Sequence, residues 1–157
     1  MNKGLDFIKK ARLGLINTSN ELSIEQLNYI PQGFNNNIIW NMGHLIATQQ
    51  AVCYRRAGIE PVVDADFINA YAPGTRPERF ITSEEMIRIQ ELFFTTLERF
   101  EQDLKTNLFN NYTPWTTRAG VDINNIGDAD AFLPYHEGMH VGYIMAQKRA
   151  ILSPLTP

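Results

Sequence analysis

Pro134-Tyr135-His136-Glu137-Gly138-Met139-His140 is the stretch whose reading decides the fold. Residues four apart on a helix share a face, one turn above the other, so a helix here points both imidazoles the same way. Two rings so placed can close on one ion. The chain has only three histidines, and the third lies far upstream in Trp40-Asn41-Met42-Gly43-His44-Leu45, inside another helical pattern. Three neutral imidazoles plus an open position make the ligand set of a catalytic zinc site. In helix bundles, metal sites are built in this way from side chains on facing helices.

Working outward from this stretch, four long helical patterns appear. The first runs from about Lys3 to Ser19, with Leu5, Ile8, Leu13 and Ile16 near helical spacing. Ser23-Ile24-Glu25-Gln26 fits a capping box, and Pro31-Gln32-Gly33 breaks the chain. The second helix starts at the N-cap cluster Asn35 to Asn37 and stops at Gly58. Glu60 to Ile81 carries Pro61, Pro73, Gly74 and Pro77 and reads as a long irregular connection. A second capping box, Thr82-Ser83-Glu84-Glu85, opens the third helix, which continues through Met86, Ile89, Phe93, Leu97 and Phe100 to about Asn107. Asn110 to Asn125 is polar and turn-rich, with room for a short hairpin over Thr113 to Val121. The fourth helix starts between Gly127 and Pro134 and ends near Ala150. Pro134 either opens that helix or sits inside it, where it costs the backbone bond to Asp130. No solenoid repeat, low-complexity segment or convincing sheet is present. The expectation is an all-α chain, one domain over residues 1–157, folded as a four-helix bundle with long connections.

The bulk numbers exclude several classes. Hydrophobic residues at 44% and charged residues at 20% fit a globular protein and argue against disorder. A net charge of -3 and a pI near 5.6 give no electrostatic reason to bind nucleic acid or an anionic membrane. Cys53 is the single cysteine, so neither an internal disulfide nor a thiolate zinc cage can form. No apolar run approaches the roughly 20 residues needed to span a bilayer, and the first ten residues lack a signal-peptide core. A cytoplasmic location is expected.

On the fourth helix, the stripe through the histidines reads His136, His140, Tyr143, Gln147, and on the second it reads Trp40, Asn41, His44, Ala47, Thr48, Ala51. Small residues beside His44 leave room for a ligand. A lone histidine is usually an ordinary hydrogen-bonded residue. The i, i+4 pair and the absence of spare histidines favour a metal site here. His136-Glu137-Gly138-Met139-His140 also matches H-E-x-x-H formally, with Glu137 as the general base of a peptidase. A glycine inside the motif, no downstream third ligand and no strand to hold a peptide weigh against that. Glu137 is otherwise a solvated residue or a partner to an imidazole N–H. Cys53 lies about 13 Å along the helix from His44, too far to share an ion with it, and is read as core. Phe93, Phe94 and Phe100 read as core or subunit interface. Arg55, Arg56, Arg76 and Arg79 read as a solvated face before they read as an anion site.

The paired signature resembles a known family. Asn37-Ile38-Ile39-Trp40-Asn41-Met42-Gly43-His44-Leu45 and His136-Glu137-Gly138-Met139-His140-Val141-Gly142-Tyr143-Ile144, separated by a long connection, look like the DinB-like (damage-inducible) superfamily of four-helix metalloproteins. The resemblance implies that His44, His136 and His140 bind a divalent metal, zinc or nickel as a rule, and that the chain is a homodimer. Characterised relatives include transferases and isomerases that use bacillithiol or mycothiol, low-molecular-weight thiols deprotonated on the metal. Many relatives carry glutamine where this chain has Tyr143, which changes what fits the pocket.

Two functions follow as expectations. One is a metal-dependent transferase or hydrolase acting on a small molecule, with Tyr143 and Glu137 as candidates for orientation or proton transfer. The other is a protein without turnover, whose ion ties two helices together.

Overall fold

The computed structural model describes residues 2–153. Helix α1 spans Lys3–Asn20, α2 Ile24–Asn28, α3 Ile38–Gln49, α4 Ala65–Ala70, α5 Ser83–Asp103 and α6 Ile126–Leu152; β1, Trp115–Thr116, and β2, Asp122–Ile123, form a small antiparallel hairpin. The described residues are all-α apart from that hairpin, as the periodicity indicates.

Side-chain oxygens start the helices. Asn2, Ser23, Asn37, Asp64, Thr82 and Asn125 each accept from a backbone N–H in the first turn, and Ser23 and Thr82 complete both expected capping boxes. Several boundaries differ from the expectation. α6 begins at Ile126, ahead of the expected window, because Asn125 caps Asp128 N while the Asp128 carboxylate accepts from Asn124 N. Pro134 therefore lies inside the helix and leaves the Asp130 carbonyl without its usual donor. α5 stops at Asp103, where the Thr106 hydroxyl donates to the Asp103 carbonyl. The second long helix does reach Gly58, a left-handed stop at φ 70°, but it changes gauge on the way. A π-helical turn over Gln50–Tyr54 and a 3-10 turn over Arg55–Ala57 follow α3. The connection expected to be irregular contains α4, capped by Asp64. The hairpin sits two residues further on than expected, its tip closed by Gly120 at φ 81°.

Pairings between helices fix their directions. Asn2 meets Asp130 and Lys148 meets Glu21, so α1 and α6 run parallel. Lys9 meets Glu101 and Ser19 meets Gln90, so α1 and α5 are antiparallel. Gln49 reaches Thr96 and Tyr54 reaches Asp103, so the second long helix runs parallel to α5. Asn41 reaches Gln147 while His44 stands beside His136, so α3 and α6 are antiparallel. The long connection between α3 and α5 carries the chain back between two parallel helices.

The core has two apolar parts. One gathers Leu15, Met42, Leu45, Phe93 and Ile144; the other gathers Ile8, Cys53, Leu97, Phe100 and Leu133. Cys53 is fully buried, in the core as expected, as are Phe93 and Phe100. A polar belt crosses all four long helices between the two parts. In it, Arg12 pairs with Glu137 and donates to the Phe93 carbonyl, while Gln49 donates to the Thr96 carbonyl. His44 and His136 stand on the α3–α6 side at this level.

Candidate metal centre

His44 projects from the middle of α3, and His136 and His140 from consecutive turns of α6. The three offer one ligand atom each, and these atoms all lie within 4.8 Å of one another. His44 and His136 are buried and His140 is half-buried.

The donor chemistry suits an ion. His44 Nδ1 lies 2.7 Å from the Tyr71 carbonyl oxygen, which can only accept, so Nδ1 carries the proton. His140 Nδ1 lies 2.8 Å from Asn41 Oδ1. The Asn41 amide nitrogen faces the oxygens of Asn37, Asn36 and Gln147, so its own oxygen turns to the imidazole. Both rings therefore present the Nε2 lone pair, the tautomer a metal ligand needs. Thr48 Oγ1 stands 3.3 Å from His44 Nε2.

Burial also keeps the set neutral. It pushes the His136 pKa down to about 3, helped by the neighbouring His140, His44 and Arg12. Burial, then His44, brings His140 down to about 4. His44 is lowered by burial and partly restored by its bond to Tyr71. At neutral pH three uncharged imidazoles converge, the His44 lone pair facing the Thr48 hydroxyl, and the group could hold a divalent ion.

Local sequence explains the placement. Gly43 is required because a Cβ there would lie 2.5 Å from Tyr71 Cδ1. Without a side chain at 43 the Tyr71 ring lies against α3, where its carbonyl reaches His44. Trp40 covers His44 from one side, its rings stacked 4.8 Å away, and Phe132 lies 5.4 Å from His136. Trp115 of the hairpin packs edge-on to Phe132.

The other sequence candidates fall as follows. Glu137 is buried, and both its oxygens take Arg12 nitrogens, at 2.9 and 3.3 Å. A carboxylate so occupied is a tether between α1 and α6. Tyr143 is partly exposed and stands edge-on to Phe34, 5.1 Å between centroids. Gln147 is buried and bonds both Asn41 and Asn36. Arg79 pairs with Glu85, and Arg56 lies over the Trp115 ring. Arg76 and Arg79 rim a cleft of about 660 Å³ that Asp64, Asp66 and Glu78 also line, so its charge is mixed. The orienting roles of Asn41 and Tyr71 and the hydroxyl of Thr48 were not assigned from sequence. The stripe through His44 contains Asn41 and Thr48, but a backbone carbonyl such as that of Tyr71 leaves no sequence signal.

No curated protein matches the chain. The family model of the DinB superfamily matches residues 9–144, which include all three histidines and every long helix except the ends of α1 and α6. The match covers most of the sequence and agrees with the helical architecture and the three-histidine cluster, and the chain belongs to the DinB superfamily.

Proposed function

We propose that this protein is a divalent-metal-dependent transferase of small molecules, with a low-molecular-weight thiol as the nucleophile. The convergence of His44, His136 and His140 carries this reading. A zinc or nickel ion held by three neutral ligands keeps its full positive charge and supplies Lewis acidity, which favours the thiolate form of a coordinated thiol.

The chain's own residues do the rest. Tyr71 and Asn41 hold two imidazoles in the ligating tautomer. Trp40 and Phe132 limit water at the two buried rings, where low dielectric strengthens the attraction for an anion. The Thr48 hydroxyl, beside His44 Nε2, is placed to donate to a bound thiolate. Tyr143 lies further along the histidine stripe of α6 and is proposed to contact the second substrate. Glu137, engaged by Arg12, is given no proton-transfer role.

The test uses cobalt(II)-substituted protein titrated with bacillithiol or a simpler aliphatic thiol. A sulfur-to-cobalt charge-transfer band that saturates, and is absent from His140→Ala, supports thiol activation. Stoichiometric cobalt with no response to thiol rejects it in favour of a hydrolase or of an ion that only joins α3 to α6.

A further inference from the structure

Arg56 stands two turns beyond Thr48, and the helix changes gauge between them. An unbroken α-helix puts Arg55 in line with Thr48 and swings Arg56 about 80° aside. Residues four apart drift by about 40° per step on an α-helix, and the wider π-helical turn over Gln50–Tyr54 takes most of that drift out. His44, Thr48, Val52 and Arg56, each four apart, therefore form one line on the side that meets α6. Exposure follows this register, since Arg56 is half-buried whereas Arg55 is exposed.

A second line joins the same two ends. From His136 the rings of Phe132 and Trp115 follow at centroid separations of 5.4 and 5.6 Å, and the Arg56 guanidinium lies over the Trp115 ring at 5.6 Å. This aromatic wall is anchored to the π-helical turn. Tyr112 Oη donates to the Val52 carbonyl at 2.8 Å, and Trp115 Nε1 donates to Tyr112 Oη at 2.9 Å. Thr113 N donates to the Arg56 carbonyl at 2.6 Å. Val52, Phe132 and Trp115 are half-buried, so the strip between the two lines is apolar and in reach of solvent.

Among the described residues Arg56 has no ion-pair partner. The acids of the adjoining hairpin and of the first turns of α6 are committed elsewhere. Asp122 accepts from Thr116 Oγ1, Asp128 from Asn124 N, and Asp130 from Asn2 Nδ2. We propose that Arg56 is a carboxylate subsite of the three-histidine centre, holding the far end of a small substrate whose other end reaches the histidines. The proposal rests on the reading above, in which that substrate is the thiol. The two turns from Thr48 to Arg56 rise roughly 11 Å, so the thiol is one whose carboxylate lies several bonds from its sulfur. A guanidinium stacked on a ring keeps its N–H edge free for a planar, bidentate acceptor. One cation suits one negative charge, which favours a carboxylate over a doubly charged phosphate.

Calorimetry on the zinc-loaded full chain tests it with two thiols that differ only at the far end, mercaptohexanoate and mercaptohexanol. The wild type should bind the acid at least about tenfold more tightly than the alcohol. Arg56→Gln should erase that preference by weakening the acid alone, with helicity by circular dichroism unchanged. Arg56→Lys, which keeps the charge, should retain part of it, and Arg55→Gln should retain all of it. The sulfur-to-cobalt band of the cobalt-substituted proteins is recorded beside these titrations and reports on the sulfur end alone. A band with both thiols but no preference for the acid overturns the subsite and leaves thiol activation standing. A preference that depends on Arg56 but comes with no band supports the subsite and rejects thiol activation. A preference that survives Arg56→Gln, one that is lost in Arg55→Gln instead, or an acid that does not bind, overturns the proposal.

Discussion

Gly43 acts on His44 through an absence. Its missing side chain admits the Tyr71 ring, and the Tyr71 carbonyl fixes the tautomer of His44. Gly43→Ala should therefore displace Tyr71 and lower metal affinity by about 10–100-fold, the usual cost of losing a group that orients a ligand. Asn41→Ala should do the same through His140. Competition against a chromophoric chelator measures both, and unchanged affinity in both variants would contradict the orienting roles. At this scale the histidines were legible because they are few and two stand four apart. The part played by Asn41 was not, because it depends on how α6 is rotated toward α3. Glu137 illustrates the same limit: spacing places it on α6 next to His136, and only the packing of α1 shows that Arg12 claims it.

Helix starts were the most legible feature among the elements, since a cap is a local matter of one oxygen and one N–H. The start of α5 shows what a cap contributes. Glu85 accepts from Arg79 and from Thr82 N, and these bonds, Arg79 first, hold its carboxyl down to about 2. A carboxyl lowered on folding stabilises the fold above its ordinary value near 4.5, and that contribution is lost as pH falls toward 2. Exposure of the pair to solvent limits the effect to about 1 kcal/mol or less. Glu85→Gln should flatten the acid limb of the stability curve between pH 4.5 and 2, as followed by urea midpoints; an unchanged slope would refute the assignment. The π-helical turn after α3 and the short helix α4 were not legible. The first is a change of gauge within an apolar run that reads as ordinary helix. The second hides between prolines, although Asp64 is a favoured N-cap residue and accepts from Phe67 N.

For the molecule as a whole, the bundle followed from four periodic stretches, but the helix directions did not. They rest on pairings between residues 47 to 128 apart in sequence, such as Gln49 with Thr96 and Asn2 with Asp130. The polar belt belongs to this scale too. Arg12 is 1% exposed and its charge is met by Glu137 and the Phe93 carbonyl, with the guanidinium 5.0 Å from the Phe93 ring. Removing one partner of such a pair strands a buried charge. Glu137→Leu should cost about 3–5 kcal/mol, and Arg12→Met together with Glu137→Leu should recover most of it. Chemical denaturation of the single and double variants checks this; equal loss in both would mean that packing, not charge, dominates.

The central claim is that three histidines from two helices hold one ion. Elemental analysis of tag-free wild type beside His44→Ala, both reconstituted with zinc or nickel and freed of excess, tests it most directly. The account predicts about one equivalent in the wild type and none above background in the variant, with both proteins equally helical. Equal metal in the two, or none in the wild type, would contradict it.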